Sequence, residues 1–332
     1  MQGFWKGKKV LVTGAGGFIG SHLSERLILE GCHVVAMIHY DSRSDRSNLE
    51  FIDSTILREM EIRAGDIRDS HFINQLVKGR EIVFHLAALI GIPYSYTAPS
   101  SYVETNIGGT LNVLQASLVA EVERVVHTST SECYGTAKYI PIDENHPLQG
   151  QSPYAATKIG ADKLAESFYL SFGLPVSTIR PFNTFGPRQS ARAVIPTILS
   201  QLLTGRPELR LGSLEPVRDL NYVDNTVDGF LALACSEEAI GKVLNVGSGN
   251  GITIQELTVL AMKTVGREIP IRIDEERIRP KTSEVLSLVC DYTQVKEITG
   301  WSPAVTLEAG LKKTAQFIEK HLDLYRSEEF AL

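Results

Sequence analysis

The stretch VLVTGAGGFIGSHL, Val10 to Leu23, decides how this chain is built. Its first four residues are aliphatic or β-branched and read as a strand, whereas the apolar positions from Phe18 onward take helical spacing. Between the two, glycines stand at positions 14, 17 and 20. In that order they permit a tight turn, a close approach of backbone to an anion, and close packing of helix on strand, and the helix N-terminus favours negative charge. Glycines also simply make turns. A strand before them and a helix after them make this spacing a cradle for the pyrophosphate of a dinucleotide.

The same rhythm continues outward. Short β-branched runs, "HVVAMI", "EIRAGDI", "EIVFHLAA", "RVVHTSTS" and "VSTIRPFN", alternate with amphipathic stretches such as "SHLSERLILEG" and "YVETNIGGTLNVLQASLVA". Near-continuous apolar strands suit a parallel sheet covered on both faces, so the fold class is α/β, a Rossmann-type doubly wound sheet. After Pro181 the elements shorten. Residues 1–180 are expected to form the dinucleotide-binding domain and 181–332 mainly a smaller α/β substrate lobe, with the chain crossing between them more than once.

Composition narrows the function. Of 332 residues, 43% are hydrophobic and 22% charged, as in an ordinary globular enzyme. The formal net charge of -6 argues against a nucleic-acid backbone as partner. No apolar run is long enough to cross a bilayer, and the lead "MQGFWKGKKVLVTG" lacks a secretory pattern, which predicts a cytoplasmic enzyme. Cys32, Cys133, Cys235 and Cys290 are scattered and no metal site is signalled.

Two clusters carry chemistry. "SPYAATKIGADKLAE" sets Tyr154 and Lys158 four apart, on one helix face. An ammonium beside a phenol lowers the phenol pKa and lets the phenolate take a proton from a substrate hydroxyl. "HTSTSECYG" offers Thr130, Ser131 and Glu132 at the carboxyl end of a strand, where an open α/β sheet holds its ligand.

Gly14-x-x-Gly17-x-x-Gly20 after Thr13, with Asp66-Ile67, "HLAA" and Asn106, resembles the extended short-chain dehydrogenase/reductases. The resemblance implies a nicotinamide cofactor held by Gly14, Gly17, Phe18, Ile19, Gly20, Asp66, Ile67, Leu86, Ala87 and Ala88, with Tyr154 and Lys158 completing the contacts. Whether the cofactor is NAD or NADP stays open. The second strand ends in uncharged Met37 and Ile38; Asp41 would suit ribose hydroxyls if its loop folds back, and Arg43 or Arg46 would suit a 2′-phosphate.

The order Thr130-Ser131-Glu132 is similar to that of sugar-nucleotide 4,6-dehydratases of the GDP-mannose type, with Ser where dTDP-glucose dehydratases use Asp. Longer segments, among them "IGIPYSYTAPSSYVETNIGGTLNVLQAS" and "RIRPKTSEV", resemble the NDP-N-acetylglucosamine 4,6-dehydratases of legionaminic-acid pathways. By that resemblance the substrate is a UDP- or GDP-linked sugar, and Asn183, Arg218 and Arg279 contact its diphosphate. Arg188 is a further candidate for the phosphates, Tyr94 is a candidate to line the sugar pocket, and the resemblance implies a homodimer. A C4 epimerase usually has a small residue where Glu132 stands. UDP-glucuronate decarboxylases share the Thr-Ser-Glu set, and a non-catalytic cofactor sensor would be expected to have degraded Tyr or Lys positions.

Overall fold

The computed structural model describes residues 3–277 and 285–325. Seven parallel strands form its centre: β1 (Lys9–Thr13), β2 (His33–His39), β3 (Glu61–Gly65), β4 (Ile82–His85), β5 (Arg124–Thr128), β6 (Val176–Pro181) and β7 (Val243–Val246). Their spatial order is β7-β6-β5-β4-β1-β2-β3. The order reverses between β1 and β4, which opens a crevice at the carboxyl ends of those two strands.

Alternation along each strand feeds two cores, one on each face of the sheet. Val10 and Val12 of β1 join Phe84, Leu27 and Phe230 on one side, and Leu11 joins Val35, Val83, Val125 and Phe168 on the other. The first core is roofed by helices α1 (Phe18–Leu29) and, later in the chain, Val223–Cys235. The second is roofed by α2 (Gly109–Val119) and α3 (Pro153–Phe172).

Local chemistry sets the ends of these helices. α3 begins where the Ser152 hydroxyl accepts a hydrogen bond from the Ala155 amide at 3.1 Å, with Pro153 in its first turn, and it ends at Gly173 in the left-handed region, φ +69°. The stretch leading into α2 departs from a regular helix: Val103–Gly108 is wound as a π turn. Asn106 in that turn hooks the backbone of Leu89, and Gly109 lies against Ile67 so closely that a Cβ would stand 2.7 Å from it.

β7 reaches the sheet only after the chain has passed through the second lobe, and it pairs in parallel with β6. That lobe is assembled from short strands, such as Val217–Asp219 flanked by Gly251–Thr253 and Ser287–Leu288. Helices Val194–Leu203, Ile254–Val265 and Leu307–Lys320 pack around them. Among the described residues no helix is long and apolar enough to cross a membrane.

Candidate active site

A cavity of about 880 Å³ runs along the crevice between β1 and β4. One end is walled by Gly14, Gly17, Phe18, Ile19 and Gly20, and the side wall by Asp66, Ile67, Leu86, Ala87 and Ala88. The far end brings together Thr130, Ser131, Glu132 and Tyr154, with Asn183 and Tyr94 beside them.

The glycine end is built for close approach. Gly14 has φ +74°, and a Cβ there would meet the Ala87 backbone at 2.8 Å; one on Gly20 would run into the Gly14 carbonyl. The Thr13 hydroxyl accepts from the amides of Leu86 and Ala87, both at 3.2 Å, and so ties the end of β1 to the loop after β4. At the start of α1, Gly17 provides no side-chain cap and the first turn carries no acidic residue, leaving its amides for an anion.

The catalytic end follows from how β5 stops. Thr130 is extended, and its hydroxyl accepts from the Glu132 amide at 3.2 Å, capping a single turn over Ser131–Tyr134 that closes at Gly135, φ +62°. That turn holds Glu132, half-buried, on the cavity wall that it shares with Tyr154. Burial drives the Tyr154 phenol well above its ordinary value, while a hydrogen bond to Thr130 opposes that rise and the nearby Glu132 charge adds to it. Lys158 stands behind the wall: its Nζ donates to the Thr128 carbonyl at 2.6 Å, and burial lowers its pKa.

Beneath this end lies a buried polar cluster that the spacing of Tyr154 and Lys158 did not disclose. Asp162, one further turn along α3, accepts from His127 at 3.1 Å, Ser129 at 2.6 Å and Arg180 at 2.8 Å. Arg180 also donates to Ser129 at 3.2 Å and to the Tyr134 hydroxyl at 2.8 Å. Desolvation alone would raise the Asp162 carboxyl. The hydrogen bond from His127 and the charges of Arg180 and Lys158 outweigh it and hold the group far below the usual range. A helix period of four from Tyr154 through Lys158 to Asp162 was the available signal.

Several expected contacts are not brought to the cavity. Asp41 caps its own loop, accepting from the Arg43 amide at 2.7 Å, and its carboxylate lies 3.6 Å from the Arg43 guanidinium; neither residue is among the described lining. Met37, Ile38, His39 and Ser47 wall that end instead. Arg188, expected at the substrate phosphates, is turned away because its buried guanidinium pairs with Glu25 of α1 at 2.7 Å. Arg218 sits on the strand Val217–Asp219, outside the described lining of this cavity, and donates to the Val217 carbonyl at 3.0 Å. Arg279 lies outside the described residues.

The residues present fit a dinucleotide. Two glycines have no room for a Cβ, and the first turn of α1 is uncapped on a wall of the same cavity. Among the described residues no group of three or more His, Cys, Asp or Glu could hold a metal.

Known proteins agree with this geometry. A UDP-glucose 4-epimerase of Mycolicibacterium smegmatis is 34% identical over 93% of this chain and 98% of its own length. A UDP-N-acetyl-alpha-D-glucosaminuronate decarboxylase of Bacillus cytotoxicus is 31% identical over 94% of this chain and 98% of its own. The dTDP-glucose 4,6-dehydratase DesIV of Streptomyces venezuelae, solved with NAD and TYD bound, superimposes with a TM-score of 0.85 at 29% identity, covering 96% of this chain and 98% of that one. Residues 11–314 match the family described as GDP-mannose 4,6 dehydratase. With that match spanning the glycine cradle, the strand-end triplet and the Tyr–Lys helix, the chain belongs to the GDP-mannose 4,6 dehydratase family, among the extended short-chain dehydrogenase/reductases that act on nucleotide sugars.

Proposed function

We propose that the chain is a nucleotide-sugar 4,6-dehydratase taking UDP- or GDP-linked N-acetylglucosamine to the 4-keto-6-deoxy sugar, with NAD as its recycled cofactor. The observation that carries this reading is the shared cavity wall of Glu132 and Tyr154. Hydride transfer, or rotation of a keto sugar to invert C4, needs no second carboxylate; removal of water does. The resemblance to the dehydratases of legionaminic-acid pathways supports the N-acetylated substrate.

In this reading Tyr154 accepts the C4 hydroxyl proton while Thr130 holds the reacting oxygen by hydrogen bond. When bound, NAD would supply the hydride acceptor for C4 and donor for C6, and a positive ring that favours the Tyr154 phenolate. Lys158 adds a second positive charge on the same side. With C4 a ketone, the C5 proton is acidic, and Glu132 removes it. The C5–C6 double bond forms as the C6 oxygen leaves with a proton from Glu132, aided by Ser131. One water is released; hydride addition at C6 then leaves an enolate that takes at C5 the proton Tyr154 removed from the C4 hydroxyl, so Glu132 and Tyr154 both end as they began.

Asn183, Arg218 and Arg279 are the proposed diphosphate contacts, with Tyr94 over the sugar. A homodimer is proposed on the same resemblance; the exposed Val119, Leu170 and Phe172 near the ends of α2 and α3 give apolar surface for it. The experiment is direct. Purified protein mixed with UDP-N-acetylglucosamine, and separately with its GDP counterpart, without added cofactor, should yield a product lighter by one water. A product of unchanged mass points to epimerisation, and carbon dioxide from UDP-glucuronate to decarboxylation.

A further inference from the structure

The cluster beneath the strand end does more than fill the core. Asp162 is buried, and each of its carboxylate oxygens is engaged by groups on the elements that frame the catalytic wall. Ser129, which donates to it, is the residue immediately before Thr130. Arg180, which also donates to it, reaches past Ser129 to the hydroxyl of Tyr134, the last residue of the turn that carries Glu132. Tyr134 is held from the far side by the Asn245 carboxamide at 2.8 Å, and the Arg180 guanidinium lies 4.7 Å over its ring. The segment from Thr130 to Cys133 is therefore tied at both ends to one anion–cation pair.

We propose that Asp162 is a positioning residue: through Ser129 and Arg180 it holds both ends of the segment that carries Glu132, and it sets a buried negative charge one helical turn from the Lys158 ammonium. The proposal rests on the reading that Tyr154 and Lys158 carry out the C4 oxidation. A structural core pair would need only Arg180. The placement of Tyr154, Lys158 and Asp162 at successive turns of one helix face aligns the base on the wall with the cation and anion behind it.

The charges around Lys158 come from every neighbouring element. Tyr154 and Asp162 share its helix, His127 stands on β5, His85 on β4 and Arg180 on β6, and Glu132, Cys133 and Tyr134 belong to the turn, with Glu144 beyond Tyr134. His85 and His127 are kept neutral by burial, and burial pushes the Cys133 thiol up to about 12. Arg180 acts against an ammonium, and Asp162 is the ionised group on its own helix that acts for one. Without it, burial would drive Lys158 further toward the neutral amine.

The charge half is tested without substrate. In the NAD-loaded protein with 13C-labelled lysine, the Lys158 Cε resonance is assigned by its loss in Lys158→Met and followed against pH. Asp162→Asn should lower its midpoint by about one pH unit, and Asp162→Glu should leave it in place. An unmoved midpoint in Asp162→Asn overturns this half. The positioning half is tested with Ser129→Ala, which keeps every charge: the Lys158 midpoint should stay at its wild-type value while water loss slows by about tenfold or more. Water loss at the wild-type rate overturns it. Should Asp162→Asn fail to fold, Asp162→Glu carries the test. Slowed water loss with an unmoved lysine midpoint supports the proposal, and wild-type water loss overturns it. If wild-type protein removes no water from either sugar nucleotide, the dehydratase reading falls, and the lysine titration alone decides the role of Asp162.

Discussion

Lys158 is pinned to Thr128: its Nζ donates to that carbonyl at 2.6 Å, so the cation is fixed to the last residue of the strand whose continuation carries Thr130 and Glu132. A helix and a strand end thus move together, and the proton chemistry of one depends on the placement of the other.

Glu132→Gln keeps the shape of the turn and removes the carboxylate. Bound NAD should still be reduced when the sugar nucleotide is added, because that step uses Tyr154, while water loss falls by about 10² to 10⁴-fold. Absorbance of the reduced cofactor and the product mass, read in the same sample, check both halves. Dehydration at normal speed would remove the basis for assigning Glu132.

Tyr154 must be ionised to accept a proton, and burial raises its phenol above the ordinary value of 10.0. The first oxidation should therefore speed up as pH rises through neutrality. Tyr154→Phe should be about 10² to 10⁴-fold slower and should lose this dependence. Single-turnover reduction of NAD between pH 6 and 9, as a rough range, is the measurement.

Gly20→Ala places a methyl group against the Gly14 carbonyl. Backbone has to shift, at a cost of about 1–3 kcal/mol, and the cradle loses its fit to pyrophosphate. The purified variant should retain markedly less NAD per chain than wild type, as read after denaturation and chromatography.

Glu25→Gln leaves the buried Arg188 guanidinium without its counter-charge. The expected loss is about 3 kcal/mol of stability, with KM for the sugar nucleotide little changed. A raised KM with unchanged denaturation would return Arg188 to the substrate.

His85 and His127 are both held below their ordinary value of 6.5, chiefly by burial. Below that value the unfolded chain binds protons that the folded one refuses, so stability declines as pH falls from about 6.5 and is fully present above it. Thermal midpoints should drop between pH 7 and pH 5; a flat profile across that window would contradict the buried neutral state.

Much of the fold was legible because parallel strands buried on both faces write themselves as apolar runs, as in "EIVFHLAA" and "RVVHTSTS". The cradle was legible because only glycine tolerates the turn at position 14. The arginines were not. Spacing along "RPFNTFGPR" places Arg188 near the crevice, yet its direction depends on Glu25, distant in sequence and brought close only by packing. Asp41 is not among the described lining for a local reason: an Asp two residues before an amide caps its own turn first. The cluster around Asp162 was hidden because its members come from α3, β5 and β6, and a single buried charge on a helix reads as solvated until its neighbours are known.

The last strand of the sheet, contributed by Val243–Val246, has a consequence for how this protein can be taken apart. Cutting the chain after Pro181 would strip β6 of its outer neighbour and bare a row of unpaired amides and carbonyls on an apolar ribbon, a template for self-association. The nucleotide-holding half is thus not a detachable module. Its closing piece is stitched in from the other half, and graft or fragment experiments need to carry that stitch with them.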